Sequence, residues 1–142
     1  MSEITAEIDK QPFMASVNRF LDEGELRTKA AAEITANNIQ NGARQRARRQ
    51  LRNPTGVLEA GIIVRDDRED VGFIVQSVYR DARQMYNVPI WVERGTKRGK
   101  PRSHDEPARP FFWPSVTEEI RPHERRIADA MDQSLNAEGL GD

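Results

Sequence analysis

The sequence predicts an α+β fold: a small antiparallel sheet of three to four strands packed against a long N-terminal helix and a C-terminal helix, with a long exposed loop. Three observations predict it. Apolar residues recur at helical spacing in the first third of the chain and again in the last. Runs rich in Ile and Val, with two-residue alternation, lie between them. Residues 94–110 mix Gly, Pro and charge without any period. With 142 residues, 37% apolar and 32% charged, the chain suits one domain with a modest core. That core is expected over 13–135, with flexible tails at 1–12 and 136–142.

Phe13, Val17, Phe20 and Leu21 predict a short helix that Gly24 interrupts. Leu26, Ala30 and Ile34 then form one stripe, and Ile39, Ala43, Ala47 and Leu51 form another. At about 100° per residue the two stripes point in different directions, so this helix is either kinked near Asn37 and Asn38 or buried on two faces. Asn53-Pro54-Thr55-Gly56 stops it, because proline disfavours helix in the residue before it.

Leu58–Arg65 reads as a first strand, Asp66–Asp70 as a charged turn, and Val71, Phe73 and Val75 as the returning strand of a hairpin. Ser77–Met85 fits either a short helix or an arm. Val88–Glu93 reads as a third strand, placed at an edge or a strand start by Pro89. After the loop, Val116, Ile120, Ile127, Met131 and Leu135 predict an amphipathic helix, opened by a Ser115-x-x-Glu118 capping box. Pro122 should kink that helix or mark its first turn.

The absence of cysteine excludes disulfides, thiolate metal sites and a cysteine nucleophile. Apolar runs such as Ala60–Val64 fall far short of the roughly 20 residues that span a bilayer. The acidic, polar start is unlike a signal peptide, so no membrane partner is expected.

Net charge is −1, but its distribution is uneven. Residues 27–52 carry Arg27, Lys29, Arg44, Arg46, Arg48, Arg49 and Arg52 against Glu33 alone. A second basic block, with Arg94, Lys97, Arg98, Lys100, Arg102 and Arg109, occupies the loop, while both ends of the chain are acidic. Blocks segregated by sign suit a protein that meets other surfaces in a fixed orientation. Taken alone, such blocks are more often solvated helix faces and loops.

No catalytic constellation emerges. Ser103-His104-Asp105 are sequence neighbours whose side chains diverge, whereas a triad needs convergence. His104 and His123 have no partner at ligand spacing, and the Asp66–Asp70 turn lacks the spaced oxygens of a calcium loop. No metal or cofactor is expected. Nucleic acid is the rival ligand, since Arg44–Arg52 on a helix and Lys97–Arg102 in a loop could neutralise phosphates. Against it stand a pI near 6.2 and the absence of interleaved aromatic residues.

Phe111-Phe112-Trp113, bracketed by Pro110 and Pro114, is more distinctive. Consecutive side chains diverge, so three adjacent rings cannot all enter one core. At least one is a candidate interface anchor, with Arg109 beside it.

Ordered motifs along the chain resemble the tail-completion, or head-tail joining, proteins of long-tailed bacteriophages, of the lambdoid minor tail protein Z type. Ala47-Arg48-Arg49 precedes Thr55-Gly56-Val57-Leu58, with Ile62 at the matching spacing. Trp91-Val92-Glu93-Arg94-Gly95-Thr96 follows, then Ala108-Arg109-Pro110-Phe111 and Pro114. Arg94 stands where that family usually has an aromatic residue. The resemblance covers about residues 26–135. It implies a non-enzymatic subunit that assembles into a ring, of six copies, at the top of the tail tube. Expected partners are further copies of the chain, the tail tube protein, a neck or head-completion protein, and DNA passing through the lumen. Glu93, Gly95 and Thr96 would fix the exit into the loop. Arg109 and the rings would anchor its return, and Lys97, Arg98, Lys100 and Arg102 would reach a neighbour.

Overall fold

A computed structural model of the chain describes residues 11–50, 56–67, 72–78, 88–95 and 107–139. The element order is α1 (Gln11–Gln50), α2 (Val57–Ala60), β1 (Ile62–Asp67), β2 (Gly72–Ser77), α3 (Val88–Arg94) and α4 (Trp113–Ala137). The class is α+β, with two long helices and an antiparallel pair of strands. A third or fourth strand is not found among the described residues.

α1 is the spine, and it runs unbroken through Gly24 and Asn37, so the interruption expected at Gly24 does not form. Gly24 is tolerated because it faces α4: a Cβ there would meet Ser134 Oγ at 3.9 Å. Of the two diverging stripes of α1, the second is buried through Ala43 and Ala47, whereas Leu26, Ala30 and Ile34 of the first are exposed. The helix is nevertheless covered on two faces. One face carries the β hairpin and α2, through Gln40 and Arg44, both of which donate to the Ile62 carbonyl at 2.8 and 3.0 Å. The other carries α4.

The two long helices are antiparallel neighbours. Gly42 lies against Ser115, Asn38 bonds Glu119 at 3.3 Å, Thr35 meets His123 at 2.8 Å, and Arg19 pairs with Glu138 at 3.0 Å. Each step forward on α4 is matched by a step back on α1. Small residues make this approach possible: Ala31, Thr35, Ala130, Ser115 and Ser134 are buried, so backbones come close and little apolar volume lies between them. The face of α4 turned to α1 is therefore its small and polar one. Its apolar stripe is not buried, and Ile120 and Met131 are about half exposed.

The compact core lies at the C-terminal half of α1. Ala43, Ala47, Leu58, Ile62 and Phe111 form it, with Val75, Val92 and Phe112 packed against them. Two expectations fail there for the same reason. Leu58 does not start a strand: Gly56, at φ 81, opens the single turn of α2, and Leu58 in that turn and Ile62 at the start of β1 are both buried in the core. Val88–Glu93 is not an edge strand but lies within α3. Pro89 fits a first helical turn, where its missing N–H has no partner to lose, and Pro89 and Val92 then share the inward face at helical spacing.

The strands pair from Ile62 opposite Ser77 to Asp67 opposite Gly72. A two-stranded ribbon is marginal alone; here it is held on α1, where Lys29 bonds Asp66 at 2.8 Å and lies 5.9 Å from the Phe73 ring centre. α4 begins at Trp113, with Pro114 in its first turn and Pro122 inside it, so Pro122 does not mark the start. The expected capping box is absent, since Ser115 lies within the helix and donates to the Phe111 carbonyl at 3.0 Å. At its other end the helix continues past Asn136 to Ala137, and Glu138 is tied to Arg19, while residues 140–142 of the expected tail lie outside the described residues.

Candidate functional site

The residues singled out in two separate sequence motifs meet at one corner, where α3 ends and α4 begins. α3 closes on Gly95, whose φ of 75 is a left-handed conformation that a side chain resists. Its N–H returns to the Trp91 carbonyl at 2.8 Å. Residues 96–106 lie outside the described residues, and with them Thr96, Lys97, Arg98, Lys100 and Arg102. Within the expected loop, Arg94 belongs to α3, and the chain re-enters at 107 without regular structure. The Arg109 N–H donates to the Val92 carbonyl at 2.8 Å, docking the returning segment on α3.

Glu93 then joins the two segments. Its Oε2 accepts the backbone N–H of Phe111 at 2.8 Å and of Phe112 at 2.9 Å, and its Oε1 accepts that of Trp113 at 3.0 Å. These are donors at the start of a helix, which have no intrahelical acceptor and carry the positive end of the helix dipole. A carboxylate from another element thus does the work expected of Ser115. Sequence periodicity could not reveal this, because the cap comes from 18–20 residues upstream.

The three rings are graded from inside to outside. Phe111 is 1% exposed and plugs the core, Phe112 is half-buried, and Trp113 is 58% exposed. Phe112 stands edge-on to both neighbours, with ring centres 6.4 Å from Phe111 and 5.7 Å from Trp113. Beside them a largely apolar cleft of about 360 Å³ opens between β2, α3 and the start of α4. Val75, Pro89, Ile90, Phe112 and Trp113 line it, and Ser77 contributes a buried Oγ with no hydrogen-bond partner. Trp91 is half-buried on α3.

The basic stretch of α1 is largely engaged within the chain. Arg44 donates to the carbonyls of Glu59 at 3.1 Å and Ile62 at 3.0 Å. Arg46 reaches Ser115 Oγ at 2.6 Å and the Glu118 carboxylate, and Arg48 pairs with Glu59 at 2.8 Å. Arg49 is exposed, while Arg52 and Thr55 lie outside the described residues. Gly56 and Leu58 serve the α2 turn.

A cluster that the sequence did not suggest lies between α1 and α4. Thr35 Oγ1 is shared by the Ala31 carbonyl, His123 Nδ1 and Arg126, and Arg126 also holds Glu119 at 2.7 Å. With Thr35 and His123 88 positions apart, no local spacing announces it. It satisfies polar groups at a helix contact.

Among the described residues no group of three or more His, Asp or Glu side chains is placed to hold a metal ion, and no helix is long and apolar enough to cross a membrane. No family model, curated protein or solved structure matches the chain.

Proposed function

We propose that the chain is a structural subunit of the head-tail junction of a long-tailed phage particle. On this reading its copies close into a ring of six on the tail tube, end tube growth, and present a surface to the neck or head-completion protein. Genomic DNA passes through the lumen. The chain acts by binding and not by catalysis.

The observation that carries this reading is the corner itself. The two segments that resemble the tail-completion family, Trp91–Gly95 and Ala108–Phe111, lie on either side of the loop and are bonded to each other through Glu93 and the Arg109 amide. They fix an exposed Trp113 at the rim of an apolar cleft. An exposed tryptophan held on a rigid helix start is the type of residue that anchors protein contacts.

The alternative, a DNA-binding accessory protein, draws less support. Arg44, Arg46 and Arg48 hold α2, β1 and α4 to α1, so they are not a free phosphate-binding stripe.

The test is the solution mass of the purified chain by light scattering over a range of concentrations, with electron microscopy of any large species. Closed rings of one copy number are expected. A chain that stays monomeric and also ignores purified tail tube protein overturns the proposal.

A further inference from the structure

β2 has one bonded edge and one open one. The Val78 N–H donates to the Gly61 carbonyl at 3.0 Å, so Gly61 and Val78 continue the ladder as a hydrogen-bonded pair. Bonded and non-bonded pairs alternate in an antiparallel ladder. Ile62 opposite Ser77, Val64 opposite Val75 and Asp66 opposite Phe73 are therefore non-bonded pairs. The backbone N–H and C=O groups of Phe73, Val75 and Ser77 point away from β1, toward an edge where no strand lies among the described residues.

At Val75 and Ser77 that edge forms one wall of the cleft of about 360 Å³, which Ile90 of α3 and Trp113 of α4, both about half exposed, also line. The buried Ser77 Oγ, which has no hydrogen-bond partner, belongs to the same wall. An open backbone edge beside an apolar wall is the usual slot for an added strand, in which main-chain bonds hold the peptide and pockets take alternate side chains. Arg94, exposed at the cleft, pairs with no acidic side chain among the described residues.

The chain carries a segment of matching pattern. Ahead of α1 the sequence runs Glu3-Ile4-Thr5-Ala6-Glu7-Ile8-Asp9, so Ile4, Ala6 and Ile8 alternate with polar or acidic residues. In an extended strand these three share one face, and Glu3, Glu7 and Asp9 bring the sign opposite to Arg94. Reach decides whose cleft the segment enters. Gly42 lies against Ser115 at the start of α4, and roughly 30 residues of unbroken helix, about 45 Å, separate it from Gln11. Even fully extended, Ile4 stands at most about 25 Å from Gln11, so it cannot enter the cleft of its own copy.

We infer that residues 3–9 of one copy add as a strand to the β2 edge of the next, with Ile4 and Ile8 in its cleft. The arm leaves one end of the molecule and the cleft lies toward the other, which makes the contact heterologous: it propagates from copy to copy and closes when the rotation allows. The inference rests on the reading of the chain as a ring subunit and names one contact that builds the ring.

The test uses full-length chains weighed by light scattering, with circular dichroism reporting the fold. Ile4→Asp/Ile8→Asp spoils the arm and Ile90→Arg the cleft, and each is expected to associate at least tenfold more weakly than wild type. Mixed one to one, the two are expected to form a dimer and nothing larger, since one intact arm then meets one intact cleft. Because the chain has no cysteine, Ile8→Cys/Ile90→Cys gives an independent reading, which decides the matter if Ile90→Arg unfolds. Oxidation is expected to link copies into covalent multimers. A link within one copy, or none while wild type assembles, overturns the inference. Rings that persist in the arm variant, or a mixture that stays monomeric, also overturn it and leave the ring reading standing. A wild-type chain that is monomeric at every concentration overturns it too, and recruitment by the tail tube then decides the wider reading.

Discussion

The carboxylate of Glu93 accepts the backbone N–H of Trp113 at 3.0 Å while its other oxygen holds the N–H groups of Phe111 and Phe112. The end of one helix thereby caps the start of another. Glu93→Ala should cost about 1–2 kcal/mol, the usual worth of a helix cap, and Glu93→Gln less, because the amide oxygen still accepts but the charge is lost. Urea denaturation of the three proteins checks the order.

Phe111 and Trp113 are two residues apart and should behave as opposites. Phe111→Ala empties a filled core position and should destabilise by about 3–5 kcal/mol. Trp113→Ala removes a largely exposed ring, so its melting temperature should change by only a few degrees while assembly is lost. Arg109→Ala should likewise impair assembly more than folding. A Trp113 or Arg109 variant that assembles normally would remove that residue from the interface.

The glycines of α1 make a contrast. Gly24→Ala should stabilise by about 0.5–1 kcal/mol, since alanine suits a helix interior and its methyl would meet Ser134 at an ordinary 3.9 Å. At Gly42 the same methyl would lie 3.2 Å from Ser115 Oγ, so the gain should vanish or reverse. Thermal unfolding of both variants against wild type measures the difference.

Lys29 reaches across to the hairpin, and its hydrogen bond and charge attraction to Asp66 raise its pKa above 10.5. Its contribution is therefore fully present below pH 10.5 and is lost as pH climbs through the raised value. Lys29→Gln should leave the alkaline limb of the stability profile flatter than in wild type. An unchanged limb would show that the pair does not act in solution.

The arginines of α1 separate the structural reading from the nucleic-acid one. Arg44→Ala should destabilise by about 1–2 kcal/mol, because two carbonyls lose a charged donor. Duplex DNA should bind weakly at moderate salt. Tight binding with a steep logarithmic salt dependence that falls on removing Arg44 and Arg48 would favour the accessory-protein reading.

How far the sequence could be read varies with the range of the contact involved. Both helical ends were legible, because the apolar spacing of Ile39, Ala43 and Ala47 and of Val116, Ile120 and Ile127 is a local signal. The hairpin was legible in its two alternating runs, though β1 starts four residues later than Leu58. The rings were legible in part: their adjacency required that they diverge, but not that Phe111 would be the one inside.

Other features depended on partners remote in the chain. The run Val88–Glu93 alternates like a strand, and became part of a helix because Pro89 and Val92 then both face the core and Glu93 reaches the start of α4. Gly24 looked like a break until Ser134 stood opposite it.

By itself, then, the sequence determined the class, the positions of the long helices and the hairpin, and the exposure of at least one ring, since all of these follow from periodicity and chain geometry within a few residues. Only the tertiary structure decided that α1 packs on the small, polar side of α4 and leaves the apolar side bare, and that the basic stretch of α1 is largely consumed inside the chain. Those outcomes depend on contacts across as many as 119 residues, between Arg19 and Glu138 at the far end, where close approach of small side chains, and not local spacing, selects the face.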